Sequence, residues 1–337
     1  MTKIDYKNLG FGYIPTKTNI RVEMKNSDWG VPFSSTDENI SIHMASTCIN
    51  YGQQCFEGMK AFRGKDEKIR LFRWEENWKR INASSSAMEG PVIPKELFFS
   101  MLEKVIHDNS EYIPAYESGN SLYIRPLLLG VGPQVGLSPS DEYMFIIYVN
   151  PVGDYIDPEK ANKFLVDRAY DRAAPLGTGA VKLGGNYAGS LGSMKRAKEQ
   201  GFASTIYLDA KEKKYIDECG PANFFAFQQD TFVTPKSSSI LPSITNNSLQ
   251  IIAQDLGFGV ENRKVTIEEL KNFEEAGACG TAAVITPIGQ IFDPLSKIWY
   301  QFGDGENVGE KSQRLRKTLL GIQKGDMQDI HNWITVI

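Results

Sequence analysis

A chain of 337 residues is too long for one small core and calls for one large or two medium domains. Its 41% hydrophobic and 23% charged residues are those of an ordinary soluble globular protein. Lysine and arginine number 37 against 41 acidic residues, a net charge of -4, so no bulk basic field exists for nucleic acid or an anionic membrane, and an anionic ligand must be met by local groups.

The start, Met1-Thr2-Lys3-Ile4-Asp5-Tyr6-Lys7, lacks the apolar core of a signal peptide, and no apolar run approaches the roughly 20 residues that span a bilayer. A cytoplasmic location is expected. Alternation predicts strands over Ile20 to Met24 and Ile40 to Met44, and Lys60 to Phe72 reads as a hairpin turning at Gly64-Lys65-Asp66. A polar helix about Glu75 to Ser85 carries Arg80, and a core-facing helix spans Pro94 to Asn109. The near-continuously apolar Ser121 to Leu129 and Tyr143 to Asn150 are expected as central strands. Pro151 to Pro158 can continue neither strand nor helix and is taken as the interdomain loop, so the expected division is 1-150, a 151-160 loop and 161-337.

The second half opens with the glycine-rich approach Pro175-Leu176-Gly177-Thr178-Gly179, which fits neither a P-loop nor a dinucleotide fingerprint. A helix is expected after Tyr187 to about Gln200, then a hairpin of Ser204 to Asp209 and Tyr215 to Cys219 that delivers Glu218 near a strand end. Asn223 to Phe227 continues as a strand. Leu241-Pro242-Ser243-Ile244-Thr245 leads into a helix closed by Gly257, whose free N–H groups would bind phosphate. Thr266 and Glu269 form a capping box for a helix ending near Gly277. Cys279-Gly280-Thr281-Ala282-Ala283 then enters a strand, and the last helix runs from about Ser312 to Lys324.

Cys48, Cys55, Cys219 and Cys279 include no Cys-x-x-Cys pair, and His43, His107 and His331 lack metal-ligand spacing, so reduced thiols and no metal centre are expected. The chemistry is placed at Val181-Lys182-Leu183-Gly184-Gly185-Asn186-Tyr187. A lysine beside paired glycines suits a Schiff-base lysine, because the backbone can approach a bulky carbonyl compound without Cβ clashes. Taken alone, the hexapeptide Lys182 to Tyr187 reads equally as a surface turn with a solvated lysine. Lys182, a downstream carboxylate and two small-residue turns, one at a helix start, form the set that pyridoxal phosphate requires for its aldehyde, ring nitrogen and phosphate.

The chain resembles the branched-chain amino acid aminotransferases of the class IV pyridoxal-phosphate family. The resemblance covers nearly its whole length: Phe11-Gly12, Tyr51-Gly52-Gln53-Gln54-Cys55-Phe56-Glu57-Gly58-Met59-Lys60-Ala61, Ser121-Leu122-Tyr123-Ile124-Arg125-Pro126, the lysine motif and Cys279-Gly280-Thr281-Ala282. It implies the two-domain α/β (α+β-like) fold of class IV enzymes, D-amino acid aminotransferase-like, with pyridoxal 5′-phosphate as cofactor. The reaction implied is amino transfer between L-leucine, L-isoleucine or L-valine and 2-oxoglutarate.

Carried over position by position, the resemblance makes Lys182 the Schiff-base lysine that also moves the proton, Tyr187 the partner of the cofactor's phenolic oxygen, and Glu218 the partner of its pyridine nitrogen. Arg80, Ile244, Thr245 and Thr281 correspond to phosphate contacts and Leu241 to the residue packed on the ring. Phe11, Tyr51, Phe56, Tyr123, Tyr155 and Tyr187 correspond to the substrate pocket wall, and Arg125 to the residue that accepts glutamate's side chain. Thr281 and Ala282 would meet the substrate α-carboxylate. Leu137 aligns with a residue reaching in from a partner subunit, which implies a homodimer with composite sites.

Three departures stand out. Ala283 and Thr286 occupy the places of a Cys-x-x-Cys found in vertebrate members, so thiol switching there is not expected. Ser243 stands where glycine is usual, and Pro221-Ala222 after Glu218-Cys219-Gly220 is atypical; neither removes a reacting group. D-amino acid aminotransferase and aminodeoxychorismate lyase share the lysine, glutamate and phosphate cup, and Phe56-Glu57-Gly58-Met59-Lys60-Ala61 with Tyr123 and Arg125 favours the branched-chain group over them. A cofactor-free Schiff-base lyase and a non-catalytic binding protein are the alternatives outside the family.

Overall fold

Apolar side chains at every second position build the first sheet. Ile20, Val22 and Met24 of β1 (Asn19–Lys25) are all buried, as that alternation requires. The computed structural model describes residues 4–6 and 8–337, so the start Met1 to Lys7 lies partly outside the described residues. After β1 come β2 (Asp28–Trp29), β3 (Phe33–Ser35), the short α1 (Thr47–Asn50), β4 (Gln54–Phe56), β5 (Met59–Arg63) and β6 (Ile69–Phe72). Helices α2 (Trp74–Ala87) and α3 (Lys95–Asp108) and the long antiparallel pair β7 (Ser121–Gly130) and β8 (Tyr143–Val152) follow.

Phe98, Met101, Leu102, Val105 and Ile106 of α3 pack with Ile20, Val22, Phe145 and Ile147 into one core, which is why that helical stripe is apolar. The predicted hairpin forms as β5 and β6, antiparallel, with Ala61 opposite Leu71. The expected strand from Ile40 to Met44 does not form. Ile40 and Ile42 are only partly covered and Met44 is 81% exposed, so no buried face rewards the alternation. The Asp37 carboxylate instead turns the chain by accepting the Asn39 N–H at 2.8 Å.

The chain divides into two compact units. One holds the described residues up to Asp154 with Val181–Gly184 and Gly321–Ile337; the other is Tyr155–Ala180 with Gly185–Leu320. Within the expected second segment of 161-337, Val181–Gly184 and the C-terminal Gly321–Ile337 group with the first unit. The second unit begins with β9 (Asn162–Asp167), and α4 (Gly184–Ala188), α5 (Leu191–Glu199), β10 (Ser204–Leu208) and β11 (Ile216–Cys219) come next. The helix expected after Tyr187 thus starts earlier and is broken between α4 and α5. Next are β12 (Ala222–Gln228), β13 (Thr231–Pro235), α6 (Ile244–Asp255), β14 (Gly259–Arg263), β15 (Glu275–Gly280), β16 (Val284–Asp293), β17 (Ile298–Gln301) and α7 (Glu310–Lys324). Strands β11, β10, β9, β16, β15 and β12 neighbour one another in that order, and β11 pairs again with β12, closing a barrel-like ring.

The Thr266–Glu269 capping box is present, but it opens a short 3-10 segment, Ile267–Asn272, rather than a helix reaching Gly277. Gly277 lies inside β15 opposite Phe225, whose ring atoms would stand 2.5 Å from a Cβ there. It is a strand glycine covered by an aromatic ring, not a helix stop. Similarly, Cys279 and Gly280 end β15, and Thr281 to Ala283 form a turn before β16. A last strand, β18 (Ile334–Val336), pairs with β6 and returns the chain to the first sheet. Among the described residues no helix is long and apolar enough to cross a membrane.

Candidate active site

In the first unit the lysine segment lies beside β4. The Phe56 N–H donates to the Lys182 carbonyl at 3.2 Å, Cys55 and Leu183 form an antiparallel bridge, and the Lys182 N–H donates to Ser84 Oγ at 2.9 Å. A Cβ on Gly184 would lie 2.1 Å from Gln54 Nε2, whereas one on Gly185 would meet nothing. Only the first glycine is needed for this close pass. Lys182 Nζ stands 4.8 Å from the centre of the Phe56 ring.

Arg80 of α2 forks onto Glu57. Its Nε donates to Oε1 at 2.6 Å and its Nη2 to Oε2 at 2.8 Å, and Asn77 donates to Oε2 at 2.7 Å. Glu57 has no exposed surface. Burial alone would raise its carboxyl, but the Arg80 guanidinium, its hydrogen bonds and the Lys182 charge hold it below the ordinary value. The carboxylate thus fixes the direction of the Arg80 guanidinium through Nε and Nη2.

Arg125 of β7 lies 4.7 Å from the Phe56 ring and 5.2 Å from the Tyr123 ring, and its Nη2 donates to the Tyr123 hydroxyl oxygen at 2.9 Å. Phe11 meets Tyr123 edge-on at 5.5 Å. A Cβ on Gly58 would come within 2.2 Å of the Tyr123 oxygen, so that glycine makes room for the hydroxyl. Burial raises the Tyr123 hydroxyl above its usual value despite Arg125, which keeps it a neutral donor. The first unit therefore gathers Lys182, Arg80, Phe56, Tyr123, Arg125 and Phe11. Tyr51, 42% exposed, donates to the Val135 carbonyl, and Leu137 is 84% exposed in the following loop.

In the second unit the β10–β11 hairpin delivers Glu218, only 4% exposed. Its Oε1 accepts the Leu241 N–H at 2.7 Å, and the Leu241 carbonyl accepts from Asn223 at 3.2 Å. Leu241 is thereby held by both its backbone groups just before α6. Ser243 caps that helix, its Oγ accepting the Asn246 N–H at 3.1 Å. The N–H groups of Ile244 and Thr245, in the first turn, have no intrahelical carbonyl within reach. With φ -87°, Ser243 needs no glycine. Pro221 fits as well: Cys219 and Ala222 pair across a two-residue turn whose positive φ falls on Gly220, at 57°.

Register brings further residues to this end of the barrel. Glu218 is opposite Asn223, Asn223 opposite Cys279, and Cys279 opposite Ile285. The turn carrying Thr281 and Ala282 follows directly. Tyr187 is half-buried in α4, and Tyr155, 39% exposed, lies at the start of the unit. Sequence reasoning assigned no role to Glu57, Arg172 or Ser84. A glutamate between Phe56 and Gly58 in an apolar stretch was the available signal for the first, since a buried acid demands a cationic partner.

Taken each by itself, the first unit offers a lysine amine and an arginine fixed by an acid, groups suited to an aldehyde and a phosphate, and the second offers a buried carboxylate bound to a backbone N–H and a helix start, groups suited to a protonated ring nitrogen and a phosphate. The pattern of the family described as amino-transferase class IV matches residues 54–291. A branched-chain-amino-acid aminotransferase from Haemophilus influenzae is 43% identical over 100% of both chains. One from Helicobacter pylori is 43% identical over 99% of this chain and 98% of its own. The solved Escherichia coli branched-chain amino acid aminotransferase superposes with a TM-score of 0.78 at 28% identity, covering 90% of this chain and 96% of the other. The solved T.th. branched-chain amino acid aminotransferase with pyridoxamine 5′-phosphate does so with a TM-score of 0.78 at 25% identity, covering 93% and 97%.

Proposed function

The chain belongs to the amino-transferase class IV family and is a pyridoxal-phosphate-dependent branched-chain-amino-acid aminotransferase, and from that premise we propose which of its residues perform the reaction. The amino group moves reversibly between L-leucine, L-isoleucine or L-valine and 2-oxoglutarate in a ping-pong cycle. The bound cofactor supplies an aldehyde that accepts the amino group and a ring that takes up the electron pair left when the substrate's α-proton departs.

Lys182 would hold that aldehyde through its amine. The same amine, once released, would serve as the base for the substrate Cα proton and as the acid that gives a proton back. Glu218, ionised and fixed by the Leu241 N–H, keeps the ring nitrogen protonated by opposite charge at close range. Tyr187 donates to the phenolic oxygen. Arg80, the first-turn N–H groups of α6 and the hydroxyls of Thr245 and Thr281 bind the phosphate dianion, which explains how a net acidic protein holds it. Leu241 packs on the ring.

For the substrate, Phe11, Tyr51, Phe56, Tyr123 and Tyr155 line an apolar side-chain pocket, and Thr281 and Ala282 receive the α-carboxylate. Arg125, poised beside Tyr123, takes the charged side chain when glutamate or 2-oxoglutarate occupies the same place. Leu137 completes a partner's site in a cytoplasmic homodimer. Glu218 carries this reading: a buried carboxylate tied to the Leu241 N–H, in the same unit as the start of α6, supports a ring-nitrogen acceptor and a phosphate contact.

Two substitutions test it. Lys182→Ala is expected to abolish both covalent cofactor retention on dialysis and turnover. Glu218→Gln is expected to leave cofactor binding largely intact and to lower kcat at least about 100-fold, the scale of a lost transition-state charge interaction. Full activity of Glu218→Gln would remove that residue from the mechanism.

A further inference from the structure

The glycine-rich approach Pro175 to Gly179 has no part in the reaction above, yet it ends against a buried arginine. The Arg172 side chain is 8% exposed, and its Nη2 stands 3.3 Å from Glu218 Oε1, the oxygen that also accepts the Leu241 N–H. The same Nη2 donates to the Gly179 carbonyl at 2.9 Å and to the Ser239 carbonyl. A Cβ on Gly179 would lie 2.4 Å from the Ser239 oxygen and 3.0 Å from that Nη2. Gly179 is therefore the residue that lets the loop close over the guanidinium. Ser239 lies just before Leu241, so one arginine ties the loop leading to Lys182, the segment leading to α6 and the Glu218 carboxylate together.

A second acid competes for this charge. Asp217, next in the strand, is 3% exposed, and its Oδ1 has no hydrogen-bond partner. Burial raises its carboxyl in spite of Ser237 and Arg172, which favours the neutral form. Glu218, with a backbone N–H on the oxygen that faces Arg172, is the better anion of the two.

We infer that Arg172 is a positioning residue for the reaction: by holding Glu218 ionised and in place, it governs how strongly that carboxylate keeps the cofactor's ring nitrogen protonated. The inference rests on the role proposed above for Glu218. It adds that the glycine-rich loop is a device for seating Arg172, not a ligand loop.

A double-mutant cycle on the full chain separates this from a purely structural role. Arg172→Gln is expected to lower kcat roughly 10- to 100-fold with little change in KM for L-leucine, and by less than about 3-fold when introduced into Glu218→Gln. Arg172→Lys, which restores the charge, is expected to recover most of the lost kcat. A readout independent of turnover is the urea midpoint of the cofactor-free protein, where the two substitutions should also be non-additive.

Equal kcat losses from Arg172→Gln in both backgrounds would mean a structural role and overturn the inference. So would a normal kcat in Arg172→Gln beside a crippled Glu218→Gln, and that outcome would leave the reading of Glu218 standing. A fully active Glu218→Gln would instead overturn the reading of Glu218, and the inference with it. Should Arg172→Gln not fold, an Arg172→Lys protein with a wild-type midpoint but a kcat as low as that of Glu218→Gln would overturn the role assigned to the charge.

Discussion

At Glu57 a carboxylate with no exposed surface sits among an arginine, an asparagine and a backbone N–H, and the pair with Arg80 cannot be treated as a surface ion pair. Removing one partner of a buried pair leaves the other charge uncompensated. Glu57→Gln is therefore expected to destabilise the cofactor-free protein by about 3–5 kcal/mol in urea unfolding and to weaken cofactor binding, because Arg80 loses its fixed direction. A loss below about 1 kcal/mol would place the pair among the energetically neutral ones. The pH dependence follows from the lowered carboxyl. Its stabilisation is fully present above the unfolded value of about 4.3 and is lost as pH falls through the lower folded value, so the wild-type advantage over Glu57→Gln should shrink only in acid. Urea unfolding of both proteins at several pH values checks this. Glu57 shows what a single sequence hides: its motif was visible, but its function depends on Arg80, brought to it from another element. Lys182 could be singled out from the sequence because the glycines beside it lie in the same short segment, whereas Arg172 and Glu218 are joined only by folding.

Among the elements, α6 is capped by a single side chain. Ser243 satisfies the Asn246 N–H, and the first-turn amides of Ile244 and Thr245 are those proposed above for a phosphate. Ser243→Ala should cost about 1 kcal/mol of stability and Ser243→Gly only a few tenths, both measured by thermal unfolding of the cofactor-free protein. Equal losses would show that the hydroxyl does not cap. This helix was legible because cap, apolar stripe and terminal Gly257 agree, Gly257 having a φ of 86°. The helix expected after Thr266 was not, because its capping box is genuine while its downstream residues, Ala276 and Ala278, serve the barrel core. Local signals marked where that helix starts, and tertiary packing decided how far it runs. The expected strand at Ile40 failed for the same reason in reverse, since its alternation finds no face to cover.

At the scale of the whole molecule, the chain crosses from the first unit to the second and back, visiting the first again at Val181–Gly184 and at Gly321–Ile337. Sequence order alone could not reveal those returns, because they depend on Cys55 bridging Leu183 and on β18 pairing with β6. What was legible at this scale was the reaction, since the lysine motif, the Phe56 to Ala61 stretch and the Thr281 turn each keep their chemistry in a few consecutive residues. The reaction is also where the account is most directly tested. The visible absorption of the purified, cofactor-loaded protein should be recorded before and after adding L-leucine with no oxoacid, and in parallel with D-alanine. L-leucine alone is expected to bleach the long-wavelength band and 2-oxoglutarate to restore it, with D-alanine inert. A band bleached only by D-alanine, or no band after loading with pyridoxal phosphate, would contradict it.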